Sequence, residues 1–302
     1  MTGSFTEKRI NLTFQLGKGS FGGSGFNTIT HKGLRCLVVV DNAALATPGA
    51  IANIRVYGLT LSEMNELSVA GLLWNNRENT VKVEAGDDTR MTTVFNGQVL
   101  EAYPEFSEAP NTAFVVIAGP NSTVQMKPVD PVSFQGSVSG ETALQKIMQS
   151  AGYTVENNGV SAQLSNPYFP GTAFEQAVRC TKAMDCFGYL DTINKKLVIW
   201  PKNGGGPGDP TEISPDNGMI GYPEFQKNQV KVRTYFNPDI KQMGKVKIKS
   251  GFTAADGVWN ISRITYMLSA QLPDGPWEMT LTCYVEQPSG ASTPSEGAST
   301  NL

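Results

Sequence analysis

The chain has 302 residues, which is enough for two or three small domains that each bury a core. Hydrophobic residues make up 40% of it and charged residues only 17%, and its 31 glycines and 18 prolines favour strands and turns over long helices. The formal net charge of -3 excludes a broad cationic surface, so no sequence-specific nucleic-acid binding is expected.

The sequence predicts a protein that is made in the cytoplasm and does not insert into a membrane. Residues 1–16 lack the apolar core of a secretion signal, and no apolar run reaches the roughly 18 residues of a membrane helix. The four cysteines are scattered without a C-x-x-C pair, which argues against a zinc site and favours reduced thiols: Cys36, Cys180, Cys186 and Cys283.

Residues 1–136 are predicted to form an antiparallel β domain. Arg9–Leu16 alternates apolar and polar residues, and Leu34–Asp41 is a continuous β-branched run. Further strand-like segments follow at short intervals, separated by Gly, Asn, Pro and Asp, which is typical of a sandwich or barrel. One short helix is predicted where Thr60 and Glu63 can form a capping box.

The pattern changes to a small α/β domain over residues 137–203. Residues 137–153 place Ala143 and Ile147 on one helical stripe that ends at a glycine. A second helix is predicted within residues 172–188, followed by a hairpin over 189–201. These elements predict alternating helices and strands rather than a further β domain.

Residues 204–287 are predicted to form a second antiparallel β-barrel domain. Gly204–Asp209 is too rich in glycine for a helix or strand interior, so it indicates a flexible connection. Four strand-like segments follow it, three of them clearly alternating. Residues 288–302 have almost no apolar side chains and are predicted to be a disordered tail.

The glycine-rich stretch Leu16–Gly25 matches the phosphate loop of protein kinases, and Asp185 begins a DCFG segment like their metal-binding motif. A kinase also needs a lysine on the following strand and a His-Arg-Asp catalytic loop. The strand Leu34–Asp41 contains no lysine, and His31 is the single histidine. We interpret the stretch as a hairpin tip, with contact to a neighbouring subunit as its expected use.

Adjacent carboxylates are the other candidates for chemistry. Asp87 and Asp88, with Glu84 close by, fall at a predicted turn, where solvated side chains are the simpler interpretation. An enzyme with an acidic site stays open as an alternative that requires activity lost in Asp87→Asn or Asp88→Asn. A Ser-His-Asp or Cys-His site must use His31, and no G-x-S-x-G motif is present.

The most specific passage is Ile213–Ser250 together with the two strands that follow it. It combines a Gly-Tyr-Pro turn, an Asn-Pro pair, a Gly-x-Val strand, a strand that begins near a tryptophan, and a Gly-Pro-Trp start to the last strand. The residues that carry this pattern are Gly221, Tyr222, Pro223, Asn237, Pro238, Trp259, Gly275, Pro276 and Trp277. In this order they resemble the C-terminal barrel of bacteriophage tail baseplate hub proteins, the family of late-control protein D.

Two further segments resemble the same family. Residues 166–204 contain a Pro-Tyr-Phe-x-Gly segment, a helix and a closing Leu-Val-Ile-Trp-Pro strand, and residues 54–68 match a first-barrel segment that leads into a helix. The resemblance covers most of the chain and leaves the glycine-rich loop and the tail outside it.

The resemblance implies a β-rich α+β fold in which two tail-tube-like antiparallel β-barrel domains flank a small α/β domain. It implies a homotrimer, a ring of six barrels that connects a six-fold tail tube to a three-fold spike around a channel for DNA. The implied partners are the tail tube, spike and tape-measure proteins and other baseplate subunits, in the virion, with a contractile tail preferred. No cofactor, metal or catalytic residue is implied, and we expect no room after the second barrel for a peptidoglycan-cleaving domain.

Two surfaces keep alternative interpretations. Lys245, Lys247 and Lys249 share one face of an alternating strand, which is a solvated face, a subunit contact or a channel lining. The alternative function is a carbohydrate- or receptor-binding β module, in which Trp74 or Trp277 stacks on a sugar. The simpler interpretation places tryptophans in the core, and we predict that Trp259 and Trp277 are largely buried.

Overall fold

The protein is β-rich, as its composition predicts. The structure, a computed structural model, describes residues 7–23, 25–43, 50–68, 78–107, 109–120, 128–202, 208–226 and 229–284. Within these ranges there are three α-helices and twenty strands. The helices are α1 Leu61–Leu67, α2 Gly140–Gln149 and α3 Ala173–Ala183.

The strands fall into three groups along the chain. The first group is β1 Arg9–Gln15, β2 Thr28–Lys32, β3 Cys36–Ala43, β4 Ile51–Tyr57, β5 Thr80–Gly86, β6 Met91–Glu105 and β7 Ala113–Gly119. The second is β8 Val132–Ser133, β9 Ser137–Ser139, β10 Thr154–Asn157, β11 Gln163–Ser165, β12 Tyr168–Phe169, β13 Cys186–Asp191 and β14 Lys196–Pro201. The third is β15 Thr211–Ile213, β16 Met219–Gln226, β17 Gln229–Tyr235, β18 Lys245–Ile248, β19 Gly257–Ala270 and β20 Trp277–Tyr284.

The first and third groups form one sheet of thirteen strands. Its main path runs β16-β17-β20-β19-β3-β4-β7-β6-β5-β1-β2, with β18 beside β19 and β15 beside β18. All of these pairs are antiparallel except β15 with β18. The predicted β-rich, antiparallel character is therefore confirmed, whereas the two predicted barrels are not: the described strands form one sheet, and their pairings do not close a barrel.

The two groups meet where β3 pairs with β19, from Cys36 opposite Ala270 to Ala43 opposite Arg263. Alternate residues of both strands point into one apolar core that runs beneath both groups. Val38, Val40 and Leu268 are fully buried there. This junction, called the internal seam below, was not predicted, because nothing local in the sequence links strands so far apart.

The middle group has an apolar core of its own, formed by residues between 132 and 199. Its small sheet, β10-β14-β13, pairs β10 with β14 in parallel and β13 with β14 antiparallel, and α2 and α3 pack beside it. The predicted hairpin is present, with Asp191 opposite Lys196. The proposed domain limits of 137–203 remain a prediction.

Local capping explains where the helices begin. The predicted capping box of α1 is confirmed, since the Glu63 amide donates to Thr60 Oγ1 at 3.3 Å and the Thr60 amide donates to Glu63 Oε2 at 2.7 Å. Thr172 and Glu175 cap α3 in the same way, and Ser139 caps α2. Most of the predicted connection Gly204–Asp209, up to residue 207, and the predicted tail lie outside the described residues.

Candidate assembly surfaces

The groups considered for catalysis are held in ordinary structural contacts. Asp87 lies in the predicted turn between β5 and β6, where its Oδ1 accepts from the amides of Thr89 and Arg90 at 2.8 and 3.0 Å. Asp88 forms an exposed ion pair with Arg9. Nε2 of His31 lies 3.4 Å from Glu63 Oε1. Asp87 and Asp88 therefore serve the turn and a surface ion pair.

The four cysteines are free and buried, as the reduced-thiol interpretation expects. Burial raises the pKa of Cys36 and Cys186 to about 11 and that of Cys180 and Cys283 to about 12. They are therefore protonated thiols at neutral pH and poor nucleophiles. Within the described ranges, no three His, Cys, Asp or Glu side chains group as metal ligands, and no helix is long and apolar enough to cross a bilayer.

The glycine-rich stretch forms the tip of the β1–β2 hairpin, which confirms the hairpin interpretation. Gln15 pairs with Thr28 at the last rung, and the loop includes glycines with positive φ, such as Gly22 at 52°. The Gly22 amide donates to Glu66 Oε1 of α1 at 2.8 Å, and Phe21 is buried. The loop is thus docked on its own chain, and its contact with a neighbouring subunit stays a prediction.

The large sheet contains the same four-strand unit twice in tandem. In the first unit β3, β4, β6 and β7 occur in this chain order, with β5 between β4 and β6, and lie side by side in the order β3-β4-β7-β6. In the second, β16, β17, β19 and β20 lie in the order β16-β17-β20-β19. The third strand of each unit is long and is flanked in its first part by an extra strand, β5 or β18.

A matched irregularity supports this equivalence. The long strands β6 and β19 each shift register by one residue against the next strand, after Val99 in β6 and after Ile261 in β19. The residue before each of these is a buried polar side chain, Gln98 or Asn260. Aligned on this bulge, Glu101 of β6 corresponds to Arg263 of β19.

The tandem arrangement leaves two strand edges open. The internal seam joins the long strand of the second unit, β19, to the first strand of the first unit, β3. At the two outer ends lie the corresponding strands, the long strand of the first unit, β6, and the first strand of the second unit, β16. Among the described strands, β16 pairs only with β17, and the last part of β6, from Glu101 to Glu105, pairs only with β7. Open edges of this kind are normally covered by another chain or protected.

Exposed aromatic side chains gather at these edges. Phe225 on β16 is 51% exposed, and Phe106, directly after β6, is 63% exposed. Tyr222 is 71% exposed and packs edge-on against Phe252, with ring centroids 5.3 Å apart. Large apolar groups at an unpaired sheet edge indicate a protein contact.

The sheet face opposite the core carries charges that are paired between strands. Arg233 and Glu278 are joined at 2.8 Å, Lys231 and Glu224 at 3.2 Å, and Arg55 and Glu105 at 2.5 Å. Arg263 and Asp41 form a further pair across the internal seam. The face is therefore polar but has little net charge of either sign.

The sequence matches the model of one protein family, described as baseplate hub gp41, over residues 9–283. The chain belongs to the baseplate hub gp41 family. The resemblance seen in Ile213–Ser250 is thereby confirmed, and the protein has a structural role in a phage baseplate as a tail component of the virion. A search among curated proteins found no match to this sequence.

Solved structures of tail proteins share the fold of this hub. The tail protein from Neisseria meningitidis MC58 superposes with a TM-score of 0.65 at 10% identity, covering 92% of this chain and 97% of that one. The 43 kDa tail protein of prophage MuSo2 from Shewanella oneidensis gives 0.61 at 11% identity, covering 91% and 97%. An E. coli component of the type VI secretion system gives 0.56 at 10% identity, covering 83% and 73%. At these identities the likeness shows the fold alone.

The hub's motif residues divide between the core and the β16 edge. Trp259 is buried as predicted, and its indole Nε1 donates to the Ala255 carbonyl at 2.8 Å. Trp277, the first residue of β20, is less deeply buried than Trp259: it packs against the edge of the core, and its ring lies 5.4 Å from that of Phe236. Trp74, the other candidate for sugar stacking, lies outside the described residues.

The Gly-Tyr-Pro turn forms a bulge in β16. The pairing with β17 is interrupted between Ile220 and Glu224, and Gly221 has a φ of 69°, which favours glycine. The bulge turns Tyr222 outward and buries Pro223. The motif therefore shapes the open edge of the hub.

The other motif residues serve turns. Asn237 Oδ1 accepts from the Asp239 amide at 2.9 Å, in the Asn-Pro turn after β17 with Pro238. Gly275 lies so close to Ser269 that a Cβ there would be 2.1 Å from Ser269 Oγ, which donates to the Pro276 carbonyl at 2.9 Å. These residues position the last strand of the hub.

Lys245 and Lys247 of β18 and Lys249 directly after it share one face, since Val246 and Ile248 between them are fully buried. Lys247 and Lys249 are exposed, and Lys249 Nζ lies 2.6 Å from Glu212 Oε2. With Lys245 half-buried, the strip is less cationic than the sequence indicates. Its assignment as a subunit contact or channel lining stays a proposal.

The sequence reasoning missed Phe106 and Phe225. Their place at open edges of the sheet becomes visible only from the order of the strands.

Proposed function

We propose that three copies of this hub form a ring of six barrel-like units that connects the six-fold tail tube to the three-fold spike. One observation carries the proposal, the tandem four-strand unit. A chain with two equivalent units presents six equivalent units as a trimer, so one assembly has approximate six-fold symmetry on one side and strict three-fold symmetry on the other. The proposed barrels of residues 1–136 and 204–287 correspond to these units, with residues 137–203 beside them.

The open edges favour a closed assembly. An antiparallel sheet with unpaired edges and exposed aromatics aggregates unless another chain covers it. A ring of copies covers the open edges of β6 and β16 in every protomer and ends further growth there, which a single chain cannot do. This is the reason for preferring a ring over an isolated hub.

The proposed channel runs along the sheet face opposite the core. The ion pairs between neighbouring strands, such as Arg233 with Glu278, leave this face polar and nearly balanced in charge. A strongly positive lining would hold the DNA backbone, whereas a balanced one lets it pass. Lys245, Lys247 and Lys249 are proposed to lie at a subunit contact or at the channel rim.

The proposed partners are the tail tube, spike and tape-measure proteins and other baseplate subunits, with assembly in the host cytoplasm. The E. coli secretion component with a similar fold is itself described as similar to the T4 tail proteins gp27 and gp5. Another similar structure is a Francisella PdpA–VgrG complex. The non-enzymatic role expected from the sequence agrees with a structural hub family.

A pull-down of the tagged full-length chain from cells that assemble the particle tests this function, with mass spectrometry of the proteins that accompany it. We expect the tube, spike and tape-measure proteins in the same fraction. Recovery of the chain alone, or with only a glycan-bearing surface protein, would contradict the hub role and favour a binding module. A chain tagged and expressed without the other tail genes is the control for adventitious capture.

A further inference from the structure

We infer that the proposed ring closes by placing the open edge of β16 from one protomer against the open end of β6 from the next, in the arrangement of the internal seam. The inference rests on the proposed ring and adds which surfaces meet and in which register. It follows from the tandem unit. Inside the chain the seam joins β19, the equivalent of β6, to β3, the equivalent of β16.

The bulge sets the correspondence on the β6 side. The equivalence of Glu101 with Arg263 carries forward along the strand, so Glu105 corresponds to Met267 and Phe106 to Leu268. The buried pattern agrees, because Ala102 and Ile264 are equivalent and both face the core.

The pairing of neighbouring strands sets the correspondence on the β16 side. Ala118 and Cys283 are equivalent, because each pairs with the residue just before the bulge, Val99 or Ile261. On their other side they pair with Ala52 of β4 and Val230 of β17, which are therefore equivalent too. Their partners in the next strand are Val40 and Phe225. Glu224 is therefore the equivalent of Val39.

Burial differs sharply at these matched positions. In the internal seam Val40 and Leu268 are both 0% exposed and belong to the core that the two units share. Their equivalents, Phe225 and Phe106, are 51% and 63% exposed. Phe106 and Phe225 thus lie at core-facing positions but remain exposed to solvent. In the ring, the neighbouring protomer covers them, as the other four-strand unit does at the internal seam. Covering them removes a large apolar area from water.

The internal register then specifies the contact. Met267 lies opposite Val39 inside the chain, so Glu105 of one protomer lies opposite Glu224 of the next. Like charges in that position repel, but each already has a basic partner on its own side, Arg55 for Glu105 and Lys231 for Glu224. The four charges form a neutral row across the contact.

Two prolines limit how the edges can bond. Pro104 in β6 and Pro223 in β16 have no amide hydrogen, so each removes one donor from a ladder at its edge. The contact therefore depends on side-chain packing more than on backbone hydrogen bonds. The same prolines keep either edge from pairing with unrelated strands.

Disulfide trapping in assembled tails tests the register. The full-length chain carrying Glu105→Cys and Glu224→Cys is produced with the other tail proteins, and isolated tails are oxidised and run on a non-reducing gel. We expect cross-linked dimers and a three-chain species. The control is Glu101→Cys with Glu224→Cys, which lies four residues out of register, roughly 13 Å along the strand, and should remain monomeric on the gel.

The outcomes separate this inference from the proposed function. Tails that contain the chain but show no cross-link for the first pair, or equal cross-linking for both, overturn the seam and leave the hub role standing. Absence of the unsubstituted chain from tails overturns both.

Substitution of the two phenylalanines provides a second readout. Phe106→Asp and Phe225→Asp should each reduce incorporation into tails at least tenfold while the melting temperature of the purified chain stays unchanged. Tyr168→Asp is the matched control, an aromatic side chain 62% exposed in the middle group, on a strand of a different sheet from β6 and β16. Normal incorporation of both phenylalanine variants would overturn the inference.

Discussion

The internal seam and the open edges of this hub are the same contact in two states. Inside the chain β19 meets β3, and Val40 and Leu268 are fully buried at the junction. At the ends of the eight strands from β16 to β6, the equivalent positions hold exposed phenylalanines. The comparison teaches that the same strand-to-strand contact stabilises the fold where both strands belong to one chain, and is available for assembly where its two edges belong to different protomers.

The largest effect should come from placing a carboxylate at the two matched positions. Val40→Asp puts a charge in the closed core and should lower the free energy of unfolding by about 4 kcal/mol or more. Phe225→Asp puts the same charge on an open edge and should change it by less than about 0.5 kcal/mol. Urea denaturation of both purified variants measures the difference, and similar losses would break the comparison.

Deleting a large buried side chain of β19, in the part of the strand before the seam, should be nearly as damaging. Trp259 is buried and its indole donates to the Ala255 carbonyl, so Trp259→Ala should cost roughly 3 to 5 kcal/mol. Trp277→Ala serves as the contrast, because Trp277 is only partly covered and should cost clearly less. Chemical denaturation followed by circular dichroism tests both, and a near-neutral Trp259→Ala would refute its core placement.

Filling the close approach beside β19 should have an intermediate effect. Any Cβ at Gly275 would lie 2.1 Å from Ser269 Oγ and would displace its hydrogen bond to Pro276. Gly275→Ala should therefore destabilise the chain by about 1 to 2 kcal/mol. The control is Gly136→Ala, which meets no atom within 4 Å but has a φ of 84°, so its cost comes from the backbone alone. A Gly275→Ala chain that melts at the wild-type temperature would contradict the geometry.

The ion pair across the internal seam should matter least. Arg263 donates to Asp41 from two nitrogens, and this contact raises the pKa of the guanidinium. Both side chains are partly exposed, so solvent screens the pair and Arg263→Ala should cost under about 1 kcal/mol. A loss several times larger, measured by thermal unfolding at low and high salt, would show that charge rather than packing holds the seam.

Much of the local structure could be predicted because local chemistry determines it. The alternation in Arg9–Leu16, the capping box at Thr60 and Glu63, and the hairpin between Asp191 and Lys196 all rest on neighbouring residues. The pairing of β3 with β19 could not be predicted, because it joins residues 222 apart that carry no complementary signal. Two separate barrels were expected, whereas the described strands form one sheet.

The candidate surface was harder still to predict. Nothing in the sequence distinguishes Phe106 and Phe225 from core phenylalanines such as Phe14, since each follows the apolar pattern of a strand. Their exposure depends on their position at the end of the sheet. Likewise the lysine strip of β18 looks cationic in sequence, but Lys249 meets Glu212 only through the parallel pairing of β15 with β18.

The number of copies and their symmetry in an assembled tail test the central claim most directly. Cryo-electron microscopy of isolated baseplates should show three copies of the chain in a closed ring, with six similar four-strand units around one channel. Six copies around the axis, or a single copy without ring closure, would contradict the proposal that the tandem unit adapts six-fold to three-fold symmetry.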